Sequence, residues 1–169
     1  SGVALAVADG GFFAARDCID QETPMLRLVA AECLVALQLL APGGSFVVKL
    51  FETATAATLD LVAGLAQVFG NLALVKPVTS RPASSERYLV CQDFCPDFRP
   101  DLGRGEVDKI RAGCEGTLSL AALEAHLWGL IRQPLGAPET PPASAHPPAA
   151  AAWRRAPAAQ AAAAFLNEA

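Results

Sequence analysis

Three ionisable residues interrupt otherwise apolar stretches in the order acid, amine, acid. Asp9 follows Val3–Ala8, Lys49 lies inside Phe46-Val-Val-Lys-Leu-Phe51, and Glu86 precedes Arg87–Cys91. A lysine within an apolar strand is costly to bury unless it is paired or neutralised. Held between carboxylates, such an amine can accept a proton once its charge is managed. Each residue alone has a plainer reading. Asp9 is then the turn residue of Asp-Gly-Gly, Lys49 a lysine snorkelling from an edge strand, and Glu86 a solvated loop charge. What separates the two readings is whether the chain brings the three together.

The elements that must do so are legible as alternating patterns. Residues 3–8 read as a short buried strand bounded by Asp9-Gly10-Gly11, with a loop over 10–22. Thr23-Pro24 is a good helix start, and Leu26, Val29, Cys33, Leu37 and Leu40 follow at helical spacing up to the stop at Pro42-Gly43-Gly44. Residues 45–50 form a second strand. Leu59, Val62, Ala66 and Phe69 form a second helical stripe ending at Gly70. Residues 71–76 are a third strand, 77–85 a turn-rich loop and 87–91 a fourth strand.

Strand–helix–strand–helix–strand predicts a parallel sheet with right-handed crossovers. No helix pattern separates the last two strands, so they are expected to be antiparallel. The start of the fourth strand then lies at the same edge as the carboxyl ends of the others, where open parallel sheets bind ligands. Asp9, Lys49 and Glu86 all fall at that edge. Beyond residue 92 the chain is polar and broken by Pro96, Pro100, Gly103 and Gly105. Thr117 is a candidate cap for one more helix carrying Leu120, Leu123, Leu127 and Leu130. The Ala/Pro-rich remainder reads as a disordered tail or linker. The expected division is 1–92, a helical extension over 93–133, and a tail over 134–169.

Composition excludes several classes. Apolar residues make up 53% and charged residues 18%, which suits a globular chain rather than a disordered one. The longest helix-like apolar run, Leu28–Ala41, contains Glu32 and falls short of the ~20 residues a bilayer span needs. Net charge is −4, so a nucleic-acid contact has to be a local patch. Such a patch exists in the loop before the fourth strand, where Lys76, Arg81 and Arg87 mingle with Thr79, Ser80, Ser84 and Ser85. It suits phosphate and ribose contacts; the plainer reading is a solvated loop. The five cysteines are odd in number and scattered, which fits reduced thiols of an intracellular protein. Cys91 and Cys95 lack a second ligand pair, so no metal site is expected. The chain starts at Ser1 and its one methionine is Met25, which reads as the later part of a longer protein.

Asp9-Gly-Gly-Phe, Pro42-Gly-Gly-Ser-Phe-Val-Val-Lys49-Leu-Phe and Lys76-Pro-Val-Thr-Ser-Arg-Pro-Ala-Ser-Ser-Glu-Arg-Tyr-Leu-Val-Cys91 together resemble the FtsJ-type RNA ribose 2′-O-methyltransferases. Within that family they are most similar to the eukaryotic cap-specific mRNA enzymes. The resemblance is firm over residues 3–92 and loose over 93–133, and the tail has none. It implies an α/β, Rossmann-like S-adenosylmethionine-dependent methyltransferase fold, second half only, with parallel strands and a terminal antiparallel one.

The family uses a Lys-Asp-Lys-Glu tetrad, and Asp9, Lys49 and Glu86 match its last three members by motif. The first lysine and the glycine-rich cofactor loop are expected upstream. The implied reaction moves a methyl group from S-adenosylmethionine to a ribose 2′-hydroxyl, that of the first transcribed nucleotide of capped mRNA. The implied roles are Lys49 as base or steering group, Asp9 and Glu86 as its orienters, and Asp9 and Gly10 as cofactor contacts. Gln21, Lys76, Ser80, Arg81 and Ser84 are the implied RNA contacts, Ser84 standing where the family commonly has Asn. The scheme requires no metal. The implied location is the nucleus, among transcription or RNA-processing machinery. Two alternatives stay open: a ribosomal RNA ribose methyltransferase, and a methyltransferase-derived module that binds or scaffolds without catalysis. This chain by itself is expected to bind the cofactor poorly, to be inactive, and to expose sheet edge and apolar helix surface.

Overall fold

The computed structural model describes residues 1–11, 22–51, 53, 55–81, 83–97, 106–112 and 119–132, and the statements below concern these residues. Along the chain they form β1 (Val3–Ala8), α1 (Glu22–Leu39), β2 (Leu40–Leu50), α2 (Ala56–Val68), β3 (Phe69–Val75), β4 (Arg87–Phe94), α3 (Glu106–Ala112) and α4 (Leu120–Arg132). The fold is α/β with a four-stranded mixed sheet in the order β1-β2-β4-β3. β1 and β2 are parallel, and β4 runs antiparallel to both β2 and β3. The expected antiparallel fourth strand is therefore present, and it is inserted between β2 and β3.

That order decides where the helices go. Both crossovers, β1-α1-β2 and β2-α2-β3, step the same way across the sheet, so right-handed connections put both helices on one face. The alternation along the strands agrees. Phe46, Val48, Leu50, Leu72, Leu89 and Cys91 are buried, whereas Val47, Lys49, Ala73, Tyr88 and Val90 between them are only half-buried. α2 is the most enclosed helix, with every residue from Leu61 to Val68 buried. α4 packs on α1 and α2, and α3 packs on α2 and β3. Cys33 lies wholly inside, and burial pushes its thiol well up from the ordinary range.

Several boundaries differ from the sequence reading, each for a local reason. α1 begins at Glu22, so Thr23-Pro24 fall in its first turn. Pro42-Gly43-Gly44 lies within β2 as a bulge between the pairings Val3↔Leu40 and Leu5↔Ser45, with Gly43 at φ 79°. A side chain at that φ would be strained, so the glycine permits the bulge. α2 starts earlier than its apolar stripe because Thr55 caps it, its hydroxyl accepting from Thr58 N at 3.2 Å. Phe69 leaves the helical stripe and opens β3. The cap of α4 is Ser119, whose Oγ accepts from Ala122 N at 3.2 Å. Thr117, Gln21 and the tail from residue 133 lie outside the described residues.

α3 falls in a stretch with no helical signal beyond Val107 and Ile110, both fully buried. Arg111 anchors it. Its guanidinium donates to the carbonyls of Ala66 (2.6 Å), Phe69 (3.0 Å) and Gln67 (3.4 Å) at the end of α2. These are the carbonyls a helix leaves without intrahelical partners, so α3 and the C-terminus of α2 stabilise each other.

Candidate active site

The parallel register Ala8↔Val48 sets Asp9, the first residue past β1, beside Lys49 of β2. Lys49 Nζ lies 2.7 Å from Asp9 Oδ1 and donates to the Asp9 carbonyl at 3.1 Å. The lysine side chain is only 12% exposed and the aspartate 61%, so the amine is sheltered and the acid faces solvent. The Phe51 ring lies 5.4 Å from Nζ, giving the ammonium an aromatic face as well. Pairing thus answers the cost of a lysine in this strand.

The antiparallel register adds a residue. Lys49 pairs with Tyr88 across β2 and β4. The Tyr88 hydroxyl donates to Asp9 Oδ1 at 3.3 Å. The hydrogen bond from Lys49 is the largest influence on the Asp9 carboxyl and holds it below its ordinary value; burial opposes it, and the Lys49 charge and the Tyr88 hydroxyl lower it further. Tyr88 is pushed up, first by desolvation and then by the charges of Asp9 and Glu86.

Glu86 lies two residues before Tyr88, where alternation places it on the same face as Tyr88 and Lys49. Its carboxylate accepts from Ser80 Oγ at 3.3 Å. Among the described residues the ion pair of Lys49 is with Asp9, and Glu86 shares the edge without pairing to the lysine. The loop around Glu86 is held from inside. Ser84 Oγ accepts from Glu86 N at 3.2 Å, and Lys76 Nζ donates to the carbonyls of Glu86 (3.1 Å) and Ser84. Lys76 therefore acts as a staple of this loop, while Arg81 stays exposed.

On the helix side, Gly10 N donates to Glu32 Oε1 of α1 at 2.9 Å. Desolvation is the largest influence on the half-buried Glu32 carboxyl and raises it. The Gly10 N–H and the charge of Lys49 pull it back, and that of Asp9 adds to the rise. Tyr88 and Glu32 are the two site residues that sequence reading missed. Glu32 had a signal, being the acid inside the Leu28–Ala41 run, where a carboxylate needs a partner. Tyr88 had the period-two spacing from Glu86.

Beside this edge an apolar groove of about 590 Å³ runs along β1 and α1, lined by Leu5, Val7, Val35 and Leu39 and reaching Asp9 and Glu32. Leu5 and Val7 are 56% and 64% exposed, so β1 is not the buried strand its apolar run suggested: among the described residues it is an edge strand with one side uncovered.

Comparison with known proteins bears on the same residues. The family model described as "FtsJ-like methyltransferase" matches residues 1–94, which carry Asp9, Glu32, Lys49, Glu86 and Tyr88. A cap-specific mRNA (nucleoside-2′-O-)-methyltransferase 1 of Drosophila melanogaster is 44% identical over 91 residues, covering 54% of this chain and 12% of that protein. Its namesake in Dictyostelium discoideum is 37% identical over 99 residues, covering 59% and 13%. The one in Trypanosoma brucei brucei is 42% identical over 93 residues, covering 54% and 25%. The chain thus spans between about an eighth and a quarter of the length of these relatives. With a family match over more than half its length, and with the lysine and acid at the carboxyl edge of its sheet inside that match, the chain belongs to the FtsJ-like methyltransferase family.

Proposed function

We propose that this chain supplies the reacting edge of an enzyme that methylates a ribose 2′-hydroxyl of capped mRNA, with Lys49 acting on the hydroxyl and Asp9 and Glu86 orienting it. The observation that carries the reading is the sheltered Lys49–Asp9 pair at 2.7 Å, at the carboxyl ends of two parallel strands. The relatives named for cap-specific 2′-O-methylation span this same segment.

S-adenosylmethionine supplies, when bound, an electrophilic methyl group on a sulfonium cation. The residues present suit such a cation. Asp9 is a solvent-facing carboxylate held ionised by Lys49 and Tyr88, and the groove leading to it is apolar. Asp9 is the residue that would hold the group here. Gly10 contributes closeness of backbone rather than a hydrogen bond, since its N–H is committed to Glu32.

A ribose hydroxyl is a weak nucleophile at neutral pH. Lys49 Nζ, sheltered and held beside Asp9, is the group that would steer the 2′-hydroxyl and receive its proton as the oxygen gives up its hydrogen in exchange for a methyl group. Asp9 and Tyr88 keep the amine in place, and the strands keep nucleophile and methyl in line. Arg81, on the loop that Lys76 and Ser84 hold, meets an RNA phosphate, with Ser80 and Gln21 as further contacts. The enzyme works in the nucleus beside the transcription or RNA-processing machinery.

The test is methyl transfer by the natural full-length protein to matched capped, uncapped and ribosomal RNAs. The expected product carries the methyl on the 2′-oxygen of the first transcribed nucleotide, and only when the RNA is capped. Transfer to ribosomal RNA alone, or none to any RNA, overturns the proposal.

A further inference from the structure

We infer that Glu32 is a positioning residue for the Asp9–Lys49 pair, fixing from α1 the peptide group that Lys49 grips from β2. The inference rests on the proposed role of that pair in methyl transfer. Asp9 C=O and Gly10 N–H belong to one peptide unit, which is planar and rigid. Its carbonyl accepts from Lys49 Nζ at 3.1 Å, and its N–H donates to Glu32 Oε1 at 2.9 Å. An ammonium and a carboxylate therefore hold the two ends of a single plate. Each polarises the peptide in the sense that strengthens the other's hydrogen bond. Rotation of the plate would move both the Asp9 carbonyl and the start of the turn away from the lysine.

The packing supports the same reading. A Cβ built on Gly10 would press on the Glu32 carboxylate and lie 2.9 Å from Leu28 Cδ2, so the turn rests directly on α1 and a side chain there would have to displace those two side-chain ends. Glu32 is half-buried on α1, next to the half-buried Ala31 and the fully buried Cys33. A carboxylate there without a partner would be costly, and the Gly10 N–H is its partner. Glu86, the second acid at this edge, accepts from Ser80 on the strand side. Glu32 thus occupies the supporting position on the opposite side of the Asp9 peptide.

The experiment compares Glu32→Leu, which keeps bulk on α1 and removes the acceptor, with Glu32→Gln, which keeps an acceptor oxygen and removes the charge. Amide exchange at Gly10 and steady-state methyl transfer are read on the natural full-length protein. Glu32→Leu is expected to speed Gly10 exchange and to lower kcat about tenfold, the size of one lost hydrogen bond, with the KM for RNA unchanged. Glu32→Gln is expected to restore Gly10 protection and most of the lost kcat. Unchanged Gly10 exchange in Glu32→Leu, or a Gln variant as impaired as the Leu one, overturns the inference. A wild-type protein that transfers no methyl while its Gly10 amide still answers to Glu32 overturns the functional proposal instead.

Discussion

The two flanks of the sheet are built differently. The β3–β4 flank is the better covered: α2 is buried from Leu61 to Val68, Phe69 and Phe94 pack with ring centroids 5.3 Å apart, and Arg111 locks α3 to the end of α2. On the β1 flank, Val3, Leu5, Val7, Val35 and Leu39 face solvent around a strand that, among the described residues, is paired on one side only. An apolar strip of this kind beside a free strand edge marks a surface suited to cover by further structure. The reacting edge lies where the two flanks meet. Lys49 takes its rigidity from β4 on the closed side and its acid from β1 on the open side. Stability and chemistry are thus loaded on different strands, and substitutions should separate them.

The largest separation is expected at Lys49. Lys49→Ala should lower methyl transfer by about 10²–10⁴, the usual loss for a positioned base, while the melting temperature moves little. Lys49→Arg should be nearly as inactive, because a guanidinium keeps its proton at any working pH. Wild-type rate in the arginine variant would leave the residue an electrostatic role only. Next comes the contrast between the flanks. Phe69→Ala, in the closed core, should cost about 3–5 kcal/mol in denaturant unfolding. Val7→Ala, on the open flank, should stay within about 0.5 kcal/mol. Equal losses would show that the β1 flank is covered in solution.

The smallest effect concerns acid. The Asp9 carboxyl titrates below its ordinary 3.8 when folded, so its contribution to stability is present above that value and lost as pH falls through the lowered one. Asp9→Asn should flatten this acid limb slightly and lower stability at neutral pH modestly, because it leaves the sheltered Lys49 without its charged partner while the exposed acid contributes little by itself. A steep acid limb surviving in Asp9→Asn would assign it to another carboxylate.

Much of this architecture is legible in the sequence because it is local. The apolar run of β1, the stripes of α1 and α2, and the lysine inside β2 each carry their own periodicity. The antiparallel sense of β4 follows from the lack of a helix before it. What escapes is non-local. Nothing in residues 87–94 says that they pair with Phe46–Leu50 as well as with β3. α3 is held by Arg111 and two buried side chains, too few for a periodic signal. Lys76 looks like a free cation in a polar loop, and only the folded loop shows its ammonium turned to the carbonyls of Ser84 and Glu86. Glu32 reads as an interruption of a helix until the turn after β1 is seen packed against it.

The insertion of β4 between β2 and β3 has a consequence for how the molecule assembles. β4 is synthesised after both strands it joins, so neither can complete its ladder until the chain has been made through Phe94. Pairings such as Phe46 with Cys91 close long loops, and such closures slow folding and leave edges uncovered in the interval. Tyr88 and Glu86 arrive at Lys49 on this last strand. Until β4 docks, the Lys49 edge lacks its Tyr88 and Glu86 side, whatever pairing β1 and β2 have already made.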